Sequence, residues 1–514
     1  MLPAKEEHMQ ATTEQLAVVE EFRTGKRNVA VSAVAGSGKT TTIMLGLASA
    51  WEDPTSTLLL AFNKKNADEL KKRAPAGLTV STLNGLGHRG WSRVSQGRLF
   101  LDTKIVGNHV SDIIREQPDP LHQEYLQLNW AHMKNLVAKA KTVGLIPKQF
   151  SYAKGLVPDT KENWEMLADK HNIDFNDSIY NVAYQALVRC VTQGLAGGID
   201  FDDQLYLPVC FQATMQKYSL IVVDEAQDLS EIQHELILRS LAKNGRIVFV
   251  GDPRQAIYGF RGAAANSMEI LSERLDATWL PLTVSFRCSH AAAALAKKIV
   301  PELTAFEGNK QGKVEYHRMN WKLNELPSHA AILCRNVAPL IKLGMEAIRQ
   351  GVPAHMVGRD IGAPLLKACK DLSKDTSVTE AIISWREVKV ANSRSLEMEE
   401  HYYDTAEALL AVTEVFSIQS KNDLESKLQM LFSRTTGGLT LSTVHRAKGM
   451  EWDVVYILDR HRMPAKYAVK AAYENPEACS WMLEQEKHLQ YIAYTRTKNV
   501  LGFIDYQEEK TDGC

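Results

Sequence analysis

The 514-residue chain is too long for one ordinary core, and its length points to roughly three or four domains. Its 45% hydrophobic and 24% charged content is that of a globular protein, the polar start MLPAKEEHMQ lacks the apolar core of a secretory signal, and no apolar run reaches the ~20 residues that cross a bilayer. Seven scattered cysteines with no CxxC pair argue for a reducing compartment and against a disulfide framework or structural zinc, and a net charge of −1 means that any polyanion site is a local basic track.

TTEQLAVVEEFRT (12–24) reads as a short amphipathic helix, and 28–33 as a buried strand. A helix is predicted over 39–49, a strand over 57–62 and a helix over 66–73, the alternation of a parallel α/β sheet. From about 88 to 198, Trp, Lys, His and Gln recur at helical spacing, which predicts a mainly helical insertion. Strands return at 219–226, 246–252, 279–286 and 330–336. Residues 364–435 are again helical and polar, and the chain then regains α/β character with strands at 439–444 and 453–459 and a helix through 484–498. The expected fold class is therefore α/β, with two parallel-sheet cores each interrupted by a helical insertion. The first core takes 1–88 and 199–278 around the insertion 89–198. The second takes 279–363 and 436–514 around the short insertion 364–435.

SAVAGSGKTTT (32–42) lies between a strand and a helix and fits [AG]xxxxGK[ST], with Ala33 in the first position. Gly36 and Gly38 let backbone N–H groups close around phosphate oxygens, Lys39 reaches the β/γ-phosphates, and Thr40 offers a hydroxyl to Mg²⁺. Ala35, Gly36, Ser37, Gly38, Lys39, Thr40 and Thr41 form the expected nucleotide-binding run. In SLIVVDEAQD (219–228) a buried strand ends in Asp224 and Glu225. One of these carboxylates is expected to hold Mg²⁺ and the other to polarise the attacking water. A nucleoside triphosphate and Mg²⁺ are thus expected, with hydrolysis the expected reaction.

Further motifs follow in order: TTEQ (12–15), LLLAFNKKNADEL (58–70), VSTLNGLGH (80–88), VGDPRQAIYGFRGA (250–263), LTVSFRCS (282–289), LSTVHRAKGMEWDVV (441–455) and EQEKHLQYIAYTRTK (484–498). With the two above, this set resembles the superfamily 1A DNA helicases typified by UvrD, Rep and PcrA. Its AFNK form looks more like the F-box DNA helicase branch and viral relatives. The resemblance covers both cores and neither insertion. It implies ATP as the nucleotide, RecA-like cores 1A and 2A, insertions 1B and 2B, and roles for single residues. Gln15 would read the adenine edge and Phe286 would stack on the ring. Asp224 would organise Mg²⁺, Glu225 would be the catalytic base, Gln255 would sense the γ-phosphate and Glu451 would contact the ribose. Arg287 and Arg496 would be arginine fingers that complete the site when the cores close. A planar guanidinium suits charge spreading over the transferred phosphoryl oxygens.

For DNA, Phe62, Tyr258, Phe260 and Trp452 are candidate stacking platforms, since base stacking is strong and largely sequence-blind. Lys64, Arg261 and His445 are candidate phosphate partners, with Lys65, Arg446 and Lys448 beside them. Thr82 and Asn84 join this set, Asn84 standing where the family usually carries a histidine, with His88 nearby. In VFVGDPRQAIYGFRGA (248–263), Asp252 and Gln255 suit the phosphate edge and Tyr258, Phe260 and Arg261 the DNA edge, which makes the segment a coupling element. The expected function is an ATP-dependent helicase on single-stranded DNA and single/double-strand junctions, serving replication, repair or recombination. The resemblance implies 3′→5′ movement. A monomer is expected, in the cytoplasm of a bacterial or phage-infected cell or in the nucleus of a eukaryote. A translocase that strips proteins from DNA, a 5′→3′ helicase and a P-loop ATPase unconnected with DNA remain as alternatives.

Overall fold

The computed structural model describes residues 11–95, 98–171, 173–257, 266–317, 321–358, 362–373, 375–393, 395–433 and 437–506. The chain forms two compact units, one of residues up to Ala33 and from Gly38 to Leu282, the other of Val34–Ser37 and the residues from Thr283 onward. Among the described residues no helix is long and apolar enough to cross a membrane.

The first unit is built on strands β1 (Val29–Ala33), β2 (Thr57–Ala61), β3 (Thr79–Thr82), β4 (Tyr218–Val223), β5 (Leu241–Gly251) and β6 (Thr278–Leu282). They form one sheet in the order β3-β2-β4-β5-β1-β6, every pair parallel. β2 is buried along its whole length and β1 almost so, which is why both read as apolar runs rather than as alternating strands. Helices cover the faces. Thr13–Thr24 begins at a capping box, in which Thr12 Oγ1 accepts the Gln15 N–H and Gln15 Oε1 accepts the Thr12 N–H. Its Val18 and Phe22 pack with Ile43 and Leu47 of helix Lys39–Ser49 over β1 and β2.

The insertion is helical as expected, with Ile105–Arg115, Pro120–Leu128, Trp130–Thr142, Lys161–Lys170 and Asp177–Leu195. It has no core of its own, because Val110, Leu136 and Leu187 belong to the same buried cluster as Leu58, Ile221 and Phe249 of the sheet. Its expected boundaries fall inside elements. Helix Leu83–Trp91 runs through 88/89, and the short strand Gly198–Ile199 pairs with Phe100–Leu101 across 198/199. The expected break at 278/279 also moves. β6 hydrogen-bonds to β1 from Val29↔Thr278 to Ala33↔Leu282, so it closes the first sheet and the break falls at 282/283. Pro281 is tolerated because β6 is an edge strand.

The second unit carries β7 (Lys313–His317), β8 (Ala331–Cys334), β9 (Ala354–Met356), β10 (Leu439–Thr443), β11 (Trp452–Leu458) and β12 (Thr497–Ile504). The order is β7-β12-β11-β8-β10-β9, again all parallel. The helix expected through 484–498 spans Pro476–Tyr494 instead. Thr495 Oγ1 turns back to the Tyr491 carbonyl at 2.8 Å, and Thr497 opens β12. The second insertion shares the sheet's core too, Leu409, Val412 and Leu428 clustering with Ile332 and Leu441. Its longest helix, Leu396–Phe416, places three carboxylates against the sheet's loops. Asp404 accepts the N–H groups of Val337 (2.8 Å) and Ala338 (2.9 Å) at the start of helix Ala338–Gln350. Glu407 accepts two bonds from Arg462, and Glu400 accepts the Tyr467 N–H.

One buried ion pair ties the first unit together. Arg246 donates to both Glu52 oxygens (2.6 and 3.1 Å) and to the carbonyls of Glu21 and Phe22, fixing the end of helix Thr13–Thr24 to β5. Removing one partner strands a buried charge, at a cost of about 3–5 kcal/mol. Arg246→Ala should therefore shift the urea unfolding of the first unit by that amount, whereas a shift under about 1 kcal/mol would match an exposed pair.

Candidate functional site

Parallel strands send all their carboxyl ends to one edge, and in the first unit residues 38–41 come after β1, and Asp224 and Glu225 after β4, at that edge. After β1 the chain turns through Val34–Ser37, where the Ser37 N–H donates to the Val34 carbonyl. Gly36 (φ 74°) and Gly38 (φ 76°) hold left-handed conformations that few other residues adopt. Lys39 then begins helix Lys39–Ser49, whose N-terminal N–H groups favour an anion. Thr40 is half-buried and Thr41 exposed. Gln15 is buried and donates through Nε2 to Thr42 Oγ1 (3.1 Å), which in turn donates to the Gly38 carbonyl (3.1 Å), so Gln15 is anchored to the first turn of this helix.

Asp224 follows β4 and is buried, and Glu225 beside it sits in a left-handed conformation (φ 56°). Burial, then the neighbouring charge of Glu225, pushes the Asp224 carboxyl up to about 7, while Lys39 pulls it back. Such a carboxyl is short of a cation. The fit with Mg²⁺ is good, because a bound divalent ion would favour the ionised form and Thr40 supplies the hydroxyl expected beside it.

A polar run joins the Glu225 carboxylate to Gln255. Glu225 Oε2 accepts from Gln227 Nε2 (2.6 Å), Gln227 Oε1 accepts the Asp252 N–H (3.1 Å), and Asp252 Oδ2 accepts from Gln255 Nε2 (2.5 Å). Gln227, Asp252 and Gln255 are all buried. The signal was present in VVDEAQD, where Gln227 stands two residues beyond the second carboxylate, but its partner Asp252 comes from another strand.

The expected DNA residues of the first unit also converge. Phe62, Lys64, Thr82 and Asn84 line one cavity of about 510 Å³ at the carboxyl ends of β2 and β3. Thr82 Oγ1 caps helix Leu83–Trp91 by accepting the Gly85 N–H, and Asn84 Nδ2 donates to the Phe201 carbonyl (2.8 Å). Phe201, not anticipated from sequence, is half exposed in the same cavity as the exposed Phe62. Gly87 is required by packing rather than by chemistry, since a Cβ there would meet the Gln204 carbonyl oxygen at 1.9 Å. Tyr258, Phe260 and Arg261 lie outside the described residues.

In the second unit Arg287 Nε donates to Glu451 Oε2 (2.6 Å), and Lys498 pairs with Glu451 Oε1 (2.7 Å). Burial raises the Glu451 carboxyl, but the bonds from Lys498 and Arg287 outweigh it and hold it below its ordinary value. Arg496 is buried rather than on a helix surface, donating to the Ile492 and Met450 carbonyls and to Thr495 Oγ1. Phe286 packs against Phe306 with ring centroids 5.0 Å apart. His445 and Trp452 are not brought together. Ser442 of β10 and Ile457 of β11 are both level with Leu333 of β8, so Trp452 begins five residues back, about 17 Å along the sheet. Trp452 instead donates its N–H to the Arg496 carbonyl, on the side of Glu451 and Arg287.

A glycine turn between β1 and a helix, and after β4 a buried carboxylate followed by Glu225 with a glutamine bonded to it, are the features of a P-loop fold. Residues 11–276 match the UvrD/REP helicase N-terminal domain family, and the chain belongs to that family. It is 24% identical to F-box DNA helicase protein 1 of Schizosaccharomyces pombe over 96% of this chain and 57% of that protein. It is 24% identical to DNA helicase II of Salmonella typhimurium over 55% of this chain and 40% of that one. With the ATP-dependent DNA helicase UvrD2 of Mycobacterium bovis it shares 22% over 91% of this chain and 75% of that protein. The chain thus spans about half the length of the first two.

Two outcomes follow. A hydrogen bond to a charged group is worth about 1.5–3 kcal/mol, so Gln227→Leu should lower kcat for ATP by roughly 10–100-fold while KM changes little. An unchanged kcat would remove the polar run from catalysis. The raised Asp224 carboxyl stabilises the metal-free protein below the ordinary carboxylate pKa, and that contribution is lost as pH rises through about 7. Asp224→Asn should flatten the fall in stability between pH 5 and 8, measured in EDTA as the difference from the parent protein.

Proposed function

We propose that this protein is an ATP-dependent motor on single-stranded DNA that unwinds duplexes, moving 3′→5′ as the family resemblance implies. The observation that carries the reading is that one edge of the first sheet holds both the nucleotide residues and the cavity lined by Phe62, Thr82, Asn84 and Phe201. In this reading the phosphate turn and Lys39 bind the triphosphate, and Thr40 and Asp224 hold Mg²⁺, which when bound neutralises phosphate charge. Gln15 holds the adenine edge and Phe286 its face, with Glu451 at the ribose. Glu225 takes the proton of the attacking water, and Arg287 and Arg496 offset charge on the transferred phosphoryl group.

The run Glu225–Gln227–Asp252–Gln255 supplies the coupling. A change in charge at Glu225 alters the bond on Gln227, and through the Asp252 N–H it reaches Gln255 and the loop that follows. Phe62 and Phe201 serve as stacking surfaces, with Lys64 at the backbone, so DNA binding should weaken with salt. Protein-stripping translocation uses the same parts and is separated from unwinding only by its product.

The test is ATP turnover with and without single-stranded DNA. Stimulation of roughly tenfold or more is expected, and turnover indifferent to DNA would reject the reading. Lys39→Ala should abolish hydrolysis and keep DNA binding within about threefold. Duplexes with 3′ tails should be unwound and those with 5′ tails left intact; the reverse would overturn the polarity.

A further inference from the structure

Lys141 is wholly buried at the end of helix Trp130–Thr142, in the wall of the cavity that holds Phe62. A buried ammonium is tolerated only when paired and hydrogen-bonded. Its Nζ lies 2.7 Å from Asp200 Oδ2 and 2.7 Å from Asp203 Oδ1. Those two carboxylates also brace each other's backbone, Asp203 Oδ2 accepting the Asp200 N–H (3.0 Å) and Asp200 Oδ1 accepting the Asp203 N–H (2.9 Å). The four-residue turn 200–203 is therefore closed from inside and cross-linked to the insertion helix. This turn presents outward Phe201, 53% exposed, and the exposed Asp202, both lining the cavity that also holds Phe62, 46% exposed. From the opposite side Asn84 Nδ2 holds the Phe201 carbonyl.

We propose that Asn84 and Lys141 are positioning residues that fix Phe201 as the second of two aromatic surfaces, with Phe62, for the bases of single-stranded DNA. This rests on the DNA reading above. A turn built only for stability has no need of a large aromatic ring at its exposed apex. With its backbone braced on two sides, Phe201 has less main-chain freedom to lose when a base stacks on its ring, and pre-organisation of this kind raises affinity. Asn84 then acts through Phe201: its amide is directed at a protein carbonyl, in the place where the family resemblance led to an expected contact with DNA.

The experiment is a double-variant cycle in the full chain, reading the affinity for an oligothymidylate by fluorescence anisotropy at fixed salt. Phe201→Ala should weaken binding by roughly tenfold, within the range of one lost stacking contact. Asn84→Ala should weaken it by roughly threefold or more, and Asn84→Leu, which keeps the size without a donor or a charge, should do the same. In the Phe201→Ala background neither Asn84 change should cost anything further, because their effect passes through the missing ring. Lys141→Met should show the same loss of additivity; should that variant fail to fold, the Asn84 cycle decides alone. Asn84 variants with parental affinity, or losses that multiply in the double variants, would overturn the proposal while leaving DNA binding intact. A parent protein that binds no oligothymidylate would overturn both.

Discussion

Everything functional in the first unit depends on strands that run the same way. Six parallel strands have one carboxyl edge, so segments far apart in sequence must leave the sheet side by side. Thus the turn after β1, the carboxylates after β4, Asp252 after β5 and the aromatic after β2 emerge on one side with no long loop to carry them there. Buried strands pack on both faces, and the register is held by side chains such as Leu59, Val222 and Val248 that have no alternative face to turn to. The chemistry is positioned by the stiffest part of the fold.

On that edge short polar links replace long-range motion. Glu225 and Gln255 are thirty residues apart, yet three hydrogen bonds through Gln227 and Asp252 connect them. All the intervening groups are buried, where hydrogen bonds are electrostatically stronger and an unmade one is costly. A charge altered at one end is therefore felt at the other without rearrangement of the sheet. The same economy holds at Phe201, which is located by one lysine, two aspartates and one asparagine.

The central strands and the phosphate turn were legible because local signals agreed. An apolar run, two glycines and a helix-forming stretch placed the helix at Lys39–Ser49, the bounds observed. The edge strands were less legible. β3, β7 and β9 are short and partly exposed, so they carry no apolar run to find. β12 was not found although Thr497, Val500 and Ile504 favour a strand, and the expected helix ran on to 498, because the preceding motif is helical as far as Tyr494. β6 was given to the second core because its motif continues into that core, whereas hydrogen bonding to β1 decides otherwise. Gln227, Lys141 and Phe201 were missed for one reason: each acquires its meaning from a partner brought in by another element.

The second sheet answers the first in one respect. There too a strand, β8, runs through a short turn into a helix, and the amides that open this helix hold an acid group, supplied by Asp404. In the first sheet the amides that open helix Lys39–Ser49 are those that the proposed function gives to a phosphate. On that proposal one cradle keeps an acid group of the chain's own and the other takes one from solution, a division between permanence and turnover in two sheets built alike.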